Sequence, residues 1–378
     1  MFTNLQPYEF LIITHATHKL QNERFFAYGP YVREMNIWLA NYSRILIIAP
    51  VSDAEIKDID LNYEKKVVFR EIPSIEFTSL TKCFTSIWSL PKIMGILYKG
   101  FRQSEHIHLR CPGNIGLLGT LIQVFFPKKK KTAKYAGNWD WYSKQPWSYR
   151  LQQHILRNTW ITQNIQVLVY GNWNETKNIK PFFTASYFQK EIIKTPVRLL
   201  GKNKLLRLLY VGGLHQGKRP LLCLEVLQKL KANGLRIEMH FYGDGDERSK
   251  MEEWISKNSL TTEVFLHGNV DAETVKKAYQ KSHFLVFISK SEGWPKVVAE
   301  SMFWGCLPLT TAVSCVPEML DYGNRGDIVV ADVNIISRRI QHYLDNPEEY
   351  QLKCEQAMDW SRQYTLEKFE SEIKELIN

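Results

Sequence analysis

The chain has 378 residues with 49 Lys+Arg against 39 Asp+Glu, a formal net charge of +10, and 44% of its residues are hydrophobic. This composition is ordinary for a globular protein and excludes disordered, collagen-like and coiled-coil chains. The length predicts two domains. No apolar run reaches about 18 residues, so we expect no membrane-spanning helix. The start, MFTNLQPYEF, has no basic segment before its apolar one, so we expect no cleaved signal peptide.

The first half of the chain alternates short apolar runs with helical patterns. The predicted strands lie near 10–14, 44–49, 66–72, 106–110, 132–136 and 167–171. Such alternation is typical of βαβ units on a parallel sheet. The turn that contains His15 and His18, and the Tyr28-Gly29-Pro30 stretch, are candidates for lining a ligand cleft on this side.

Positive charge is concentrated in residues 78–157, where 13 Lys+Arg accompany only Glu105 and Asp140. A basic, aromatic helical pattern over 79–102 precedes an apolar stretch at 115–126 and the run Lys128–Lys131. This order suits an anionic membrane surface. The competing interpretation of the apolar stretch is a crossover helix that ends in a solvated lysine loop. Nucleic acid is the competing partner for the segment as a whole, because tryptophans and tyrosines at 139–149 alternate with basic residues.

The second half gives a clearer strand–helix alternation. Its predicted strands are 205–213, 236–243, 263–268, 283–289, 307–311 and 327–330, and its predicted helices are 218–233, 246–258, 271–282, 295–305 and 332–344. Two doubly wound α/β domains follow, with ligand sites at the carboxyl ends of the strands. We place the first domain at 1–190, the second at 191–345, and two C-terminal helices that pack back toward the first domain at 346–378.

The most informative stretch is Ser289-Lys-Ser-Glu-Gly-Trp-Pro-Lys-Val-Val-Ala-Glu300, which follows a predicted strand and opens a helix. Gly293 permits an unusual turn, and Pro295 suits a first helical turn. The backbone N–H groups of Lys296, Val297 and Val298 would then form an anion site. Glu300, four residues after Lys296, can accept hydrogen bonds from a ribose diol, and Glu292 would reach what lies beyond the phosphate. The alternative is an ordinary helix N-terminus with one acidic residue nearby and one on the surface.

A glycine-rich turn before Lys218 strengthens the ligand-site interpretation. Val211-Gly-Gly-Leu-His-Gln-Gly-Lys218 follows a predicted strand, and Lys218 would place positive charge on a diphosphate. Asp244-Gly-Asp246 has the form of a metal motif, but it begins a helical pattern and is interpreted as a cap. We therefore predict no metal.

Residues 205–330 resemble the nucleotide-sugar domain of retaining glycosyltransferases of family 4, which have the GT-B fold. The resemblance rests on an E-x7-E pair, Glu292 and Glu300, with Val-Gly-Gly-Leu-x-x-x-Lys218, Tyr-Gly-Asp-Gly, Phe-Leu-His-Gly268 and Gly305-Cys-Leu-Pro308 around it. It implies two Rossmann-like doubly wound domains that face a central cleft. The first half resembles the family only in its strand–helix rhythm.

The resemblance also implies roles for residues. Glu300 would hold the ribose, Lys218 the diphosphate, Glu292 a sugar hydroxyl near the reacting carbon, and the backbone from Gly268 through Asn269 to Val270 the base. Further donor-side candidates are Gly213, Arg219, Gly243, Gly293, Trp294, Pro295, Lys296 and Val297. Many members carry Arg where this chain has Gly213, and Arg219 or a first-half residue would compensate. Many also carry His in a first-half turn whose equivalent here is Tyr135-Ala-Gly-Asn138-Trp, which makes Asn138 an acceptor-side candidate.

The function that these features favour is retaining sugar transfer from a nucleoside-diphosphate sugar, UDP-linked in preference to GDP-linked, to a glycan or lipid-linked acceptor in cell-surface polysaccharide or lipopolysaccharide synthesis. We expect no cofactor, no nucleic-acid partner, and a cytoplasmic protein that is peripheral on the inner face of the membrane. The six cysteines, with no Cys-x-x-Cys pair, fit a reducing compartment. The alternatives are a nucleotide-sugar epimerase or phosphorylase of the same architecture, and a basic nucleic-acid-binding protein.

Overall fold

The computed structural model describes residues 6–57, 59–75, 80–173, 176–194, 197–201 and 203–377. The chain divides into two compact units, Met1–Phe183 with Glu370–Asn378, and Thr184–Phe369. The division therefore lies seven residues before the expected boundary at 190. The C-terminal segment 346–378, which we expect to form a separate region, is divided between the two units.

The first unit contains ten strands, of which seven form a parallel sheet and three form a small antiparallel sheet. Its strands are β1 (Tyr8–Ile13), β2 (Lys19–Gln21), β3 (Arg24–Tyr28), β4 (Ile45–Ala49), β5 (Asp60–Asn62), β6 (Val68–Glu71), β7 (Ser104–Cys111), β8 (Lys130–Tyr135), β9 (Ile165–Tyr170) and β10 (Ile179–Phe182). Its helices are α1 (Gly29–Leu39), α2 (Leu80–Gln103), α3 (Asn114–Ile122) and α4 (Trp147–Arg157). The sheet order is β10-β9-β8-β7-β1-β4-β6.

Both faces of this sheet are covered, which is why β4 and the second part of β1 are continuous apolar runs. The neighbouring strands β7 and β8 are buried as well, although they carry His, Thr and Lys side chains. On one face Leu11 and Ile13 pack in a cluster with residues of α2, α3 and α4. On the other face Phe10 stacks near Trp38 of α1. The first unit is therefore a doubly wound α/β domain, as the sequence predicts.

A small antiparallel sheet, β2-β3-β5, was not predicted from the sequence. Its strands have three to five residues and carry mixed polar and apolar side chains, so they show no periodic pattern. The hairpin between β2 and β3 turns at Asn22 and Glu23, both with positive φ. Asn-Gly is the common sequence at such a turn. Because this chain has Glu in the second position, the turn could not be recognised from the sequence.

The second unit contains a parallel sheet of six strands in the order β13-β12-β11-β14-β15-β16. The strands are β11 (Leu206–Val211), β12 (Ile237–Tyr242), β13 (Val264–Gly268), β14 (Phe284–Phe287), β15 (Leu307–Thr310) and β16 (Asp327–Ile328). The helices are α5 (Pro220–Ala232), α6 (Arg248–Lys257), α7 (Ala272–Lys281), α8 (Lys296–Phe303), α9 (Val316–Met319), α10 (Val333–Asp345), α11 (Pro347–Ser361) and α12 (Leu366–Ile377), whose last turns group with the first unit.

The predicted strands and helices of the second half all form, with ends shifted by only a few residues. One local interpretation is wrong. Asp244-Gly-Asp246 does not cap α6, because that helix begins at Arg248 and its N-cap residue is Glu247. The Asp244 carboxylate instead accepts the N–H of Gly245 at 2.8 Å. True side-chain caps occur at α7 and α10, where Asp271 and Asp332 accept backbone N–H groups at 2.9 Å.

The lysine run also differs from the expected solvated loop. Lys130 and Lys131 begin β8, and the Lys131 side chain is fully buried. Its Nζ donates to the carbonyls of Phe126 at 2.6 Å and Gln123 at 3.4 Å, and burial lowers its pKa to about 8. Lys129 donates to the Ser104 carbonyl, and Lys130 to the Ile377 carbonyl. Three of the four lysines are thus bonded to backbone oxygens.

Candidate functional site

The candidate donor site lies at the carboxyl edge of the second sheet, where the loops after β11, β12, β13 and β14 meet. Gly212 donates to the Tyr242 carbonyl at 2.9 Å, and Gly243 donates to the Gly268 carbonyl at 2.8 Å. A Cβ at Gly243 would lie 2.0 Å from the Gly212 oxygen, and Gly243 has φ +133°. This glycine is therefore required for the loops to pack together, whatever ligand they bind.

Lys218 and Glu292 come together across two of these loops. The Lys218 Nζ lies 2.8 Å from a Glu292 oxygen, and both side chains are largely buried. The Lys218 ammonium also lies 4.8 Å from the centre of the Phe287 ring. The backbone holds the loops in register, because Lys290 donates its N–H to the Gly217 carbonyl at 2.8 Å. Two residues that the sequence places 74 positions apart thus form one charged pair.

Arg219 follows Lys218 but has a structural contact of its own. It is the N-cap residue of α5 in the left-handed region, with φ 51°, and its guanidinium donates to the Ile288 carbonyl at 3.1 Å. Gly213 is open on its outer side except for His215, whose ring carbon would lie 3.0 Å from an added Cβ. Through its hydrogen bond to Ile288, Arg219 connects the end of β14 to the start of α5. That Arg219 supplies the positive charge missing at Gly213 stays a prediction.

The start of α8 presents fewer backbone donors than the sequence predicts. The N–H of Val298 donates to the Pro295 carbonyl at 2.9 Å, so it is already used within the turn. Lys296 and Val297 are the first residues of the helix and stay the predicted donors to an anion. Gly293 and Trp294 precede this turn, and the Trp294 ring stacks near Trp360 of α11 with centroids 6.3 Å apart.

Glu300 lies on α8 and is held by two hydroxyl groups that sequence analysis did not identify. Ser186 donates to one carboxylate oxygen at 2.5 Å, and Tyr279 of α7 donates to the other at 3.1 Å. Burial, followed by the nearby Glu300 charge, raises the pKa of Tyr279 well above its ordinary value, so the phenol stays protonated as a donor. No local motif marks Ser186 or Tyr279, because their contact with Glu300 depends on how α7 and the loop that contains Ser186 pack against α8.

The segment expected to contact the base lies after β13. Asn269 and Val270 are exposed, whereas the Gly268 carbonyl is bonded to Gly243. Arg248, at the start of α6, lies beside Gly268, since its guanidinium nitrogen would be 3.5 Å from a Cβ at that glycine. Arg248 was not predicted from the sequence, because it is only one of several charged residues in α6.

The acceptor-side candidates of the first unit have different surroundings, and two of them are explained by packing. His18 is fully buried, and its two ring nitrogens bond the Ala16 carbonyl and the Tyr63 hydroxyl, each at 2.8 Å. Burial lowers its pKa to about 4. This side chain is structural and offers no surface to a substrate, which corrects its assignment to the cleft. Gly29 is likewise explained by packing, because a Cβ there would lie 2.4 Å from the Ile59 carbonyl.

The other acceptor-side candidates are better exposed. His15 is exposed and lies against Gly113, and partial burial together with the Arg110 charge lowers its pKa. Tyr28 is exposed at the end of β3. Asn138 lies after β8 and accepts the Asp140 N–H at 2.9 Å. Beside His15, sequence analysis missed a buried ion pair in which Arg110 donates to Glu34 at 2.5 Å.

Predictions from the sequence on metal ligands, cysteines and apolar helices can be compared with the described residues. Among the described residues, no group of three or more His, Cys, Asp or Glu side chains could hold a metal ion. Five of the six cysteines are buried thiols without a disulfide, and the side chain of Cys83 lies outside the described residues. Within the described ranges, no helix is long and apolar enough to cross a membrane.

Comparisons with known proteins agree with this architecture. Residues 188–359 match the family model for glycosyl transferases group 1, which covers the loops of the donor site and somewhat less than half of the chain. The comparison with curated proteins found no match.

Solved structures match nearly the whole chain at low sequence identity. The sucrose-phosphate synthase of Thermosynechococcus elongatus has a TM-score of 0.66 at 16% identity over 98% of both chains. The lipopolysaccharide outer core galactosyltransferase WaaB has a TM-score of 0.68 at 12% identity over 98% of this chain and 99% of its own. HepE from Anabaena, solved with UDP and glucose, has a TM-score of 0.69 at 11% identity over 97% and 98%. The chain therefore has the GT-B fold, and its second unit carries the match to the group 1 glycosyltransferases.

Proposed function

We propose that this protein is a retaining glycosyltransferase that moves a sugar from a nucleoside-diphosphate sugar, UDP-linked in preference to GDP-linked, to a glycan or lipid-linked acceptor. The observation that carries the proposal is the Lys218–Glu292 pair, 2.8 Å apart within the segment that matches the group 1 family model. The pair sets one cation and one carboxylate at the carboxyl edge of a parallel sheet, where α/β folds bind ligands.

The chemistry asks mainly for stabilisation of the departing diphosphate. The bond between the sugar C1 and the phosphate oxygen breaks, and a bond between C1 and the acceptor oxygen forms on the same face. The acceptor hydroxyl proton passes to the leaving phosphate oxygen. Lys218 and the N–H groups at the start of α8 would stabilise the charge that develops, at roughly 3 kcal/mol for a well-aimed donor in such a site. This proposal needs no metal ion.

The pairing of Lys218 with Glu292 implies an exchange when the donor binds. The Lys218 ammonium would donate hydrogen bonds to the diphosphate in place of part of its contact with Glu292. The Glu292 carboxylate would then accept a hydrogen bond from a hydroxyl of the transferred sugar. Glu300 would share its oxygens between ribose and the hydroxyls of Ser186 and Tyr279, since each carboxylate oxygen can accept more than one hydrogen bond. The closely spaced loops would thus recognise the two ends of one donor.

Support for the class of substrate comes from the neighbours, of which one was solved with UDP and glucose and another is named as a lipopolysaccharide galactosyltransferase. We propose that the acceptor belongs to cell-surface polysaccharide or lipopolysaccharide synthesis and that the protein works in the cytoplasm, on the inner face of the membrane. The basic segment 78–157 would bring it to that surface.

A thermal-shift panel with UDP, GDP, ADP and CMP, each with and without EDTA, tests the donor site. We expect UDP to raise the melting temperature most and EDTA to leave the shift intact. A shift that EDTA abolishes would contradict the metal-independent site, and no shift from any nucleotide would contradict the proposed donor. Product analysis with and without acceptor then separates transfer from epimerisation or phosphorolysis.

A further inference from the structure

Helix α2 has two apolar faces on opposite sides, one buried in the core and one exposed. Ile93, Leu97 and Phe101 are inaccessible and pack in the core of the first unit. On the other side Phe84, Ile87 and Trp88 expose 64%, 56% and 73% of their surface. A single exposed apolar residue is ordinary, but three within five positions of one helix form a patch.

Basic side chains continue the same face along the helix. At about 100° per residue, the three exposed apolar residues and three exposed basic residues fall within an arc of roughly 140°, which they share with Pro91, Gly95 and Tyr98. This arc, which we call the α2 outer face, contains Phe84, Ile87, Trp88, Lys92, Lys99 and Arg102. The sequence of α2 contains no Asp or Glu, so no acidic side chain of the helix itself reduces the positive charge.

We propose that the α2 outer face docks on an anionic lipid bilayer, with Phe84, Ile87 and Trp88 in the headgroup–acyl boundary and Lys92, Lys99 and Arg102 on the headgroup phosphates. An interfacial helix buries its apolar side chains about 5–10 Å deep and gains from each basic residue near the surface. The inference deepens the proposed function and rests on it only for the purpose of docking, which is access to a lipid-linked acceptor.

The structure also places this patch relative to the sheet. Because α2 follows β6, its first turns lie at the carboxyl edge of the first sheet. Asn114, after β7, bonds the Ile75 carbonyl at 3.0 Å at that edge. The exposed Tyr142 lies between β8 and α4, and the exposed Trp147 begins α4, at the same edge of the sheet. A bilayer that received the start of α2 would therefore lie near the edge at which a parallel α/β sheet binds its ligand.

Two other occupants fit the face less well. Nucleic acid would stack on aromatic rings and pair with the basic residues, but Ile87 beside Phe84 and Trp88 adds aliphatic surface that bases do not need. A second copy of the chain would bring the same basic face against this one, and like charges repel. The Lys128–Lys131 run, a better candidate in the sequence, has three of its ammonium groups on backbone carbonyls.

Co-sedimentation of the full chain with vesicles tests the inference. Vesicles of phosphatidylcholine alone are compared with vesicles that contain one third phosphatidylglycerol, at low and high salt. We expect binding to the anionic vesicles, a decrease with salt, a loss of about 100-fold for K92E/K99E/R102E, and a loss of at least about tenfold for F84S/I87S/W88S. The control K229E/K257E/K277E makes the same charge change on exposed helix positions of the second unit and should retain binding.

Each variant is also measured for the UDP-induced thermal shift, which we expect to be unchanged. Wild-type protein that shifts with UDP but binds no anionic vesicle would overturn the docking inference and leave the donor proposal standing. Vesicle binding without any nucleotide shift would support docking and contradict the donor site instead. If the serine triple binds vesicles as well as wild type while single-stranded RNA competes for the basic residues, the face is a nucleic-acid surface and the inference is wrong.

Discussion

Lys218 and Glu292 form an ion pair of 2.8 Å across the loops that follow β11 and β14. A pair of opposite charges this well enclosed holds each side chain in place, and it keeps the cation at the loop that precedes α8. The pair thus links two motifs whose proximity depends on strand order, because β11 and β14 are neighbours in the sheet although two strands separate them in sequence.

Lys218→Ala should weaken UDP binding about tenfold, since it removes a charge-assisted hydrogen bond to the diphosphate. Isothermal titration with UDP measures the change. Lys290→Ala is the matched control, because Lys290 is an exposed lysine of the neighbouring loop whose backbone contact the substitution keeps. Equal affinities for the two variants would place the diphosphate elsewhere.

Glu292→Gln should leave UDP binding unchanged or tighter, because it releases Lys218 from its partner. Sugar transfer should nevertheless fall by about 100-fold, as for other preorganised groups that act on the reacting centre. The measurement is kcat with the donor sugar beside the Kd for UDP. A Glu292→Gln enzyme that keeps full turnover would remove this residue from the chemistry.

Glu300→Gln should reduce the preference for UDP over 2′-deoxy-UDP, because the carboxylate is proposed to hold the ribose hydroxyls. A cycle with two ligands and two proteins isolates that contact. Tyr279→Phe is the control, since it removes a donor to Glu300 at 3.1 Å without removing the carboxylate. If wild type and Glu300→Gln discriminate the two nucleotides equally, Glu300 serves only to join α7, α8 and Ser186.

His18 should make the first unit sensitive to acid. Burial lowers its pKa in the folded protein to about 4, below the ordinary value of 6.5. The neutral ring therefore contributes stability above pH 6.5, and that stability is lost as the pH falls from 6.5 toward 4. His18→Gln should lower the free energy of unfolding by about 1–3 kcal/mol at pH 7 and by less at pH 5. Urea titrations at both pH values measure this, with the exposed His154→Gln as a control that should show neither effect.

Glu349 should stabilise the junction of α10 and α11 above mildly acidic pH. Hydrogen bonding to His342, opposed by burial and helped by Lys353 and Arg339, lowers its pKa from 4.5 to about 2. Its contribution is present above pH 4.5 and is lost as the pH falls toward 2. Glu349→Gln should cost about 1 kcal/mol at pH 7, after allowance for solvent screening.

The control for Glu349 is its exposed neighbour Glu348, and unfolding is followed at pH 7 and pH 3. Glu348→Gln should change the free energy of unfolding little at either pH. A Glu349→Gln variant whose deficit is the same at both pH values would contradict the ionic origin of the stabilisation.

The sequence by itself determined the elements of the second unit and the chemical types at its candidate donor site. Strands such as β11 and β14 are mainly buried apolar runs that are followed by glycine or polar residues. This pattern is local in the sequence, so it can be recognised without the tertiary structure. The E-x7-E pair likewise lies on one short stretch of loop and helix, so Glu292 and Glu300 could be named as candidate site residues without the tertiary structure. The polar β2-β3-β5 sheet offers no such periodicity and was missed.

Only the tertiary structure decided which of these groups touch one another. Contacts between residues far apart in sequence depend on strand order and helix packing, which composition and spacing do not encode. They pair Lys218 with Glu292, give Glu300 the hydroxyls of Ser186 and Tyr279, and bury His18 against Tyr63. For the same reason three ammonium groups of the conspicuous lysine run donate to backbone carbonyls outside the run, whereas the outer face of α2 stays exposed.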